Sequence, residues 1–255
     1  MALPPDLFDA ITLYSLASTL AIVFIGLGLA KALLPASATG TTRFLFVWHA
    51  ADALCHVLLE GSYLYHCFFS WMPESKFLAQ RGVETLAELG GRDVAAAAGN
   101  WVFYPTPENY LGASGRVYGA QAGGNNPFAL LWMVYSKADR RWAGIDLGVV
   151  SLELLTVVFD TLMAIMVCVA LVRGDHKANV WMIILATAEI YGGWMTFCPE
   201  WLTGSLNLDT SNFMYLWVYL FFFNSLWVWI PLYTIYYSIG NINAAFGALD
   251  TKKAQ

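Results

Sequence analysis

The sequence has little charge, and this scarcity excludes several classes of protein. Only 12% of its 255 residues are Asp, Glu, Lys or Arg, whereas a soluble domain carries about 25%. The 13 basic residues are outnumbered by 18 acidic ones, so no basic surface is left for a nucleic acid and we expect no such partner. The four cysteines all fall in apolar runs, which argues against a disulfide scaffold.

Apolar residues are abundant in the chain. They make up 58% of it, and the mean hydropathy is +0.56, which excludes a disordered chain. A helix that spans a bilayer needs about 20 apolar residues. The sequence therefore predicts an all-α polytopic membrane protein, a five-helix bundle forming a single domain over residues 1–255, with helices at about 11–30, 44–71, 147–171, 180–198 and 213–239.

Charges near the ends of these stretches predict their orientation. The short segments 1–10 and 199–212 carry acidic residues and no basic one. The basic residues collect on the opposite side, at Lys31, Arg43, Arg173, Lys177, Lys252 and Lys253. The positive-inside rule then places the C-terminus in the cytosol. Because the last four residues resemble a dilysine retrieval signal, we expect the endoplasmic-reticulum membrane.

Segment 72–146 is far longer than an ordinary loop. It contains seven basic and seven acidic residues, several glycines and several aromatic residues. Aromatic residues in such number are not typical of disorder. We predict a partly ordered lid on the non-cytosolic side.

Carboxylic side chains interrupt the apolar stretches, and no lysine or arginine lies deep among them. The only bases available there are three histidines, His49, His56 and His66. Ionisable groups in a bilayer are costly and indicate function by default. The carboxylic residues are Asp52, Glu60, Glu153, Asp160 and Glu189.

Helical spacing arranges these residues in stripes. With 3.6 residues per turn, one face of the second stretch holds His49, Asp52, His56, Glu60 and Tyr63. Further stripes hold Glu153, Thr156 and Asp160 on the third stretch, Glu189 on the fourth, and Trp217, Asn224 and Trp227 on the fifth. Because lipid offers polar groups no partners, the stripes are expected to face one acidic, aromatic cavity.

A cavity of this kind suits acid–base chemistry on an alkene. Several carboxyl groups without cations cannot all be ionised, so at least one is expected to be a neutral acid that donates a proton. A neighbouring carboxylate or histidine accepts one. Aromatic faces stabilise a desolvated positive centre by about 2 kcal/mol. The pattern favours protonation of an alkene in a lipid, a carbocation, and removal of a different proton.

Plainer structural interpretations of the same residues stay open. His56 and Glu60, four residues apart, could form a hydrogen-bonded pair that packs helices, and Thr156 more often bonds its own backbone. For His49 and Asp52 we favour solvated groups near the membrane interface. No metal-ligand spacing such as His-Glu-x-x-His occurs, and we expect neither a metal nor a cofactor.

Five runs resemble the emopamil-binding protein (EBP) family, the membrane sterol Δ8–Δ7 isomerases that share the EXPERA domain. The runs are CHVLLEG at 55–61, WMVYSKADRRW at 132–142, VSLELLT at 150–156, IYGG at 190–193 and FNSLW at 223–227. The resemblance implies a five-helix protein of the endoplasmic reticulum. It also implies a reaction in which a proton is added to the C8–C9 alkene and another is removed at C7.

The resemblance also implies roles for individual residues. It implies a catalytic pair, His56 and Glu60, and a sterol site lined by Glu153, Thr156, Asn224 and Trp227. We count Glu153 and Asn224 with the catalytic residues. Substrate-binding candidates beyond Thr156 and Trp227 are Asp160, Glu189, Tyr191 and Trp217. The expected partners are a sterol or terpenoid lipid and membrane lipids, and a homodimer is left open.

Departures from the family pattern keep two alternatives open. Asp160 and Thr161 replace an expected Gly-Pro pair, Glu189 replaces an expected glutamine, and segment 72–146 is longer than in animal or plant members. An extra acid at a carbocation site could mark a terpene cyclase or a triterpenoid or meroterpenoid rearrangement enzyme. The second alternative is a non-catalytic sterol-binding protein.

Overall fold

The computed structural model describes residues 8–89 and 102–253, so residues 90–101 of the predicted lid lie outside the described residues. Within these ranges, five helices are long and apolar enough to cross a membrane, which confirms the predicted all-α membrane fold. The last of them runs well past its predicted end. In chain order the helices are α1 Ala10–Leu33, α2 Gly40–Phe69, α3 Glu74–Arg81, α4 Pro127–Tyr135, α5 Leu147–Arg173, α6 Ala178–Leu202 and α7 Met214–Lys253, of which α3 and α4 are too short to span.

Three of the spanning helices contain π-helical turns in the described chain. These are Cys55–Glu60 in α2, Thr156–Asp160 in α5 and Met214–Phe223 in α7. A π turn bonds each residue to the fifth one along, is rare, and is frequent at functional sites. The assumption of a continuous 3.6-residue period, on which the polar stripes rest, is therefore wrong at these turns.

The described chain divides into two compact units. The first unit consists of residues 8–17, 58–89, 102–154 and 196–222. The second unit consists of residues 18–57, 155–195 and 223–253.

The second unit is held together by close packing of small and aliphatic side chains. The first half of α2 packs on the second half of α5, where Ala53 meets Met163 and Ala164 in a buried cluster. A Cβ added at Gly26 of α1 would lie 3.1 Å from the Val47 carbonyl oxygen of α2, which is a tight contact. Small residues at such contacts are typical of helices in membranes, where van der Waals packing replaces the hydrophobic driving force.

The first unit contains the described part of segment 72–146, and this part is folded. Strand β1, Trp71–Pro73, pairs antiparallel with β2, Arg116–Tyr118, an element that the sequence did not predict. Next to them lies a cluster of five buried apolar residues, Phe77, Leu78, Leu89, Phe103 and Val117. Gly119 ends β2 with a φ of 105°, and a Cβ there would lie 2.6 Å from the Ala143 carbonyl oxygen. The chain therefore needs glycine at this turn.

A buried ion pair fixes the end of this segment in the first unit. The Asp139 carboxylate accepts hydrogen bonds from Arg141 Nε at 2.9 Å and Nη2 at 2.6 Å. Arg141 also donates to the Thr196 carbonyl oxygen at 2.8 Å and lies 3.6 Å from a Glu200 oxygen. Burial opposes the charge of Arg141, but its bonds to Asp139 and the charges of Asp139 and Glu200 raise its pKa, so the guanidinium stays charged.

We expect Arg141→Met to destabilise the protein by about 3–5 kcal/mol, because it leaves the buried Asp139 carboxylate without its partner. The measurement is the thermal unfolding midpoint in detergent. Arg173→Met, at an exposed arginine that ends α5, is the control. A midpoint for Arg141→Met equal to that of the control would show that the ion pair does not hold the unit together.

Candidate functional site

The second unit contains a buried cluster of ionisable side chains. His49, Asp52 and His56 come from α2, Asp160 from α5 and Glu189 from α6, and each is at most 5% exposed. The interpretation of His49 and Asp52 as solvated groups near the interface is wrong, since they are 0% and 1% exposed. Both lie on the buried face of α2, with Leu45, Phe46, Ala50 and Ala53, so packing removes them from solvent.

Asp52 contacts two neighbouring side chains. Its Oδ1 accepts a hydrogen bond from Trp227 Nε1 at 2.8 Å, and the same oxygen lies 3.1 Å from His56 Nε2. The Trp227 ring in turn lies 5.4 Å, centroid to centroid, from Trp48. A carboxylate, an imidazole and two indoles therefore meet on one side of α2.

The other members of the cluster, Glu189, Asp160 and His49, lie close to Asp52 and His56. Glu189 is within electrostatic range of Asp52, His56 and Asp160. His49 is near Asp52, and neither of its ring nitrogens has a hydrogen-bond partner among the described residues. Buried polar groups in proteins are mostly paired. An unpaired buried imidazole beside carboxyl groups is therefore more typical of a site that exchanges protons than of a packing contact.

The first unit contains the other acids that the sequence singled out. Glu153 is 5% exposed and lies within electrostatic range of Tyr63. The Tyr63 ring lies 4.7 Å, centroid to centroid, from Trp142, which stacks at 4.7 Å on Trp132. Trp132 Nε1 donates a hydrogen bond to Ser62 Oγ at 2.9 Å. This unit thus places a buried carboxyl group within electrostatic range of Tyr63, which belongs to a cluster of aromatic rings.

The ten predicted site residues differ in their surroundings. In the second unit, His56, Asp160 and Glu189 lie in one cluster. Trp227 joins them because it donates a hydrogen bond to Asp52 of that cluster. Thr156 and Asn224 in that unit are half-buried. Tyr191 is 64% exposed, so the structure does not bring it into the cluster. In the first unit Glu153 is buried, Glu60 is half-buried and Trp217 is exposed.

The sequence analysis missed two features of this site. Asp52 stands four residues before His56 on α2, a spacing at which side chains meet, yet only its place in a stripe was noted. The π turns were missed altogether, because the hydrophobic pattern does not reveal them. His56 and Glu60 lie in one such turn, and Thr156 and Asp160 begin and end another.

Comparison with known proteins gives a family for part of the chain. Residues 127–238 match the family model described as EBP: EXPERA (EXPanded EBP superfamily). This range includes eight of the ten predicted site residues, and His56 and Glu60 lie before it.

Several named proteins are similar to this chain. The 3-beta-hydroxysteroid-Delta(8),Delta(7)-isomerase of Cavia porcellus is 30% identical over 122 residues, which cover 48% of this chain and 53% of that protein. A probable enzyme of the same name from Oryza sativa subsp. japonica is 25% identical over 206 residues, covering 81% and 70%. Protoglabretal synthase of Ailanthus altissima is 27% identical over 216 residues, covering 84% and 74%.

The chain thus spans about half the length of the Cavia porcellus relative, 53%, and more of the two plant proteins. The family match and these relatives agree with the resemblance seen in the five sequence runs. Residues 127–238, less than half of the chain, are thus similar to the EBP family, EXPERA.

Proposed function

We propose that this chain is a membrane-embedded isomerase that moves the alkene of a sterol-like lipid from Δ8 to Δ7. The observation that carries the proposal is the contact of one Asp52 oxygen with both His56 and Trp227 inside an apolar helix. A titratable imidazole and a carboxyl group beside an indole face are what a carbocation reaction in lipid needs. Support also comes from the relatives named as Δ8,Δ7-isomerases.

The proposed steps follow from the two positions of the double bond. A proton added at C9 leaves the positive charge at C8, and loss of a proton from C7 completes the shift without net change in composition. We assign the donation and removal of protons to His56, Glu60 and Glu153, with Asn224 as a further catalytic residue. Trp227 is assigned to face the cation, and neither a metal nor a redox cofactor is required by the balance.

The proposal is tested by expressing the full chain in cells that lack Δ8–Δ7 isomerase activity and incubating their membranes with a Δ8-sterol. We expect a Δ7-sterol as the product, formed by the wild-type chain and by His176→Ala, a change at an exposed histidine. Binding of the sterol without conversion would favour the sterol-binding alternative. A sterol that neither binds nor reacts would contradict the sterol-based proposals.

A second candidate function is the rearrangement or cyclisation of a terpenoid. The observation that favours it is Asp160, a 2% exposed acid in a π turn and within electrostatic range of Glu189. A further acid of this kind could start or end a carbocation cascade. One relative is named protoglabretal synthase and another isomeliandiol synthase.

Asp160→Asn separates the two enzymatic functions. If the chain is a sterol isomerase, the variant is expected to make the same Δ7 product at a rate within a few-fold of wild type. A rearrangement enzyme that uses Asp160 as acid or base is expected to lose about 10²–10⁴-fold in rate or to release a different product. Product profiling alongside thermal unfolding measures both, and lower stability with unchanged product and rate would assign Asp160 to packing alone.

Location and partners complete the proposal. The five apolar helices make this a membrane protein, and we propose the endoplasmic-reticulum membrane with a cytosolic C-terminus. The basic residues Arg43, Arg173 and Lys177 support that orientation. Protease digestion of intact microsomes tests it, since a tag at the C-terminus should be cleaved without detergent.

Membrane lipids and a second copy of the chain stay proposed partners, and light scattering in detergent tests the homodimer.

A further inference from the structure

A hydrogen bond connects α2 and α7 within the second unit, and its donor is the indole that the proposed function assigns to the cation. Trp227 Nε1 donates to Asp52 Oδ1 at 2.8 Å, and an indole N–H can only donate. Asp52 is 1% exposed, so bulk water does not compete for this acceptor. The bond therefore fixes the N–H edge of the Trp227 ring.

The neighbouring indole of Trp48 shows what ring packing alone provides. The centroids of Trp48 and Trp227 lie 5.4 Å apart, and the two ring planes form an angle of 60°. Trp48 Nε1 is buried and has no hydrogen-bond partner among the described residues, so packing at this place does not by itself supply an acceptor. Trp227 has both the ring contact and the hydrogen bond, and it is half-buried. Its ring plane is therefore held while part of the ring stays uncovered.

We propose that Asp52 is a positioning residue, which holds the indole of Trp227 so that the uncovered part of the ring faces the positive centre of the bound lipid. The attraction between a cation and an aromatic ring depends on placing the cation over the ring face. A ring that turns about its side-chain bonds loses this placement. An acceptor on the N–H also polarises the indole, which makes the ring face more negative. The effect on the reaction rests on the proposed function, whereas the hydrogen bond does not.

Two other roles of Asp52 must be separated from this one. A negative charge would attract the cation directly, and a buried side chain would only pack the helices. Asp52→Asn keeps an acceptor oxygen for the indole and removes the charge, whereas Asp52→Leu removes both. Trp227→Phe keeps an aromatic ring and removes the N–H. Comparison of these variants, alone and combined, isolates the contribution of the hydrogen bond.

The hydrogen bond is observed directly by NMR of the full chain in detergent with ¹⁵N-labelled tryptophan. The chain has 11 tryptophans, and the spectra of Trp227→Phe and Trp48→Phe identify the two indole signals. Because a hydrogen-bonded proton is deshielded, we expect the Trp227 indole proton downfield of that of Trp48 in the wild type and in Asp52→Asn. In Asp52→Leu the Trp227 signal is expected to move upfield. The control Asp250→Leu, a change at an exposed aspartate, should leave it in place.

Kinetics with the Δ8-sterol shows whether Asp52 acts through the indole. Asp52→Leu is expected to lower kcat about 10–30-fold, the size of a desolvated cation–π interaction, with KM changed less than about threefold. Asp52→Asn should keep kcat within about threefold of the wild type, because its amide oxygen accepts the same hydrogen bond. In the Trp227→Phe background, Asp52→Leu should lower kcat by less than about a further threefold, since no N–H is left to hold. An amphiphilic amine should lose affinity in the same order as kcat, and a neutral compound of the same shape should not.

Each outcome supports or overturns this role of Asp52. A folded Asp52→Leu with an unmoved Trp227 signal or with wild-type kcat overturns it. Equal losses of kcat in Asp52→Asn and Asp52→Leu would assign the effect to charge, and additive losses in the double variant would show that Asp52 does not act through Trp227. If Asp52→Leu does not fold, Asp52→Ala replaces it, and a wild-type Trp227 proton upfield of that of Trp48 still overturns the hydrogen bond. A wild type with the expected spectrum but no sterol turnover would contradict the proposed function and leave the hydrogen bond intact.

Discussion

Replacing Glu60 with glutamine is expected to lower turnover of the Δ8-sterol by about 10²–10⁴-fold, the usual cost of losing a general acid or base. His56→Ala is expected to have an effect of the same size. Glutamine keeps the shape of Glu60 but can neither release nor take up a proton. The measurement is the initial rate of Δ7-sterol formation by membranes that contain equal amounts of each variant.

Two exposed residues provide controls for this pair. Glu108→Gln and His176→Ala make the same chemical changes at exposed positions and should leave the rate unchanged. Glu60→Gln should also keep a thermal unfolding midpoint near that of the wild type. A Glu60→Gln enzyme with a near-normal rate would remove Glu60 from the proton path.

An amphiphilic amine is expected to bind at least about 100-fold more tightly than a neutral compound of the same shape, because its ammonium resembles the carbocation intermediate. Mimics of high-energy states bind about 10²–10⁸-fold more tightly than substrates. The attraction is expected to come from carboxylates and from aromatic faces such as that of Trp227. The measurement is competition against a radiolabelled amine in membranes that contain the full chain.

Glu153→Ala is expected to weaken the amine strongly and the neutral compound little, since it removes a buried carboxyl group that can pair with the ammonium. The exposed Glu108→Gln again serves as the control. Equal affinity of the wild type for the amine and for the neutral compound would contradict a site built for a cation.

The number of spanning helices and their places could be predicted because they depend only on apolar length. Hydropathy set the ends of α1 and α5 within a few residues, and it failed at the end of α7, where residues 240–253 are polar enough to lie outside a bilayer yet continue the helix to Lys253. The pair of strands β1 and β2 was missed, since each has only three residues. Such short strands form because the surrounding chain folds, and they are too short to show an alternation of apolar and polar residues.

The candidate site was predictable in its residue types and only partly in its geometry. Intramembrane acids are costly, so His56, Asp160 and Glu189 were expected to turn inward, and each is buried. Asp52 was misjudged because the sequence does not tell how deep a helix face lies. The π turns that hold His56 and Asp160 depend on tertiary packing, which a local pattern cannot encode.

The origin of the added hydrogen tests the central claim, that the chain shifts an alkene by adding one proton and removing another. Membranes that contain the full chain are incubated with a Δ8-sterol in heavy water, and the product is analysed by mass spectrometry and NMR. Proton addition from an exchangeable acid predicts a Δ7-sterol with one deuterium, located at C9. A Δ7-sterol without deuterium, or complete recovery of the unlabelled Δ8-sterol, would contradict the account.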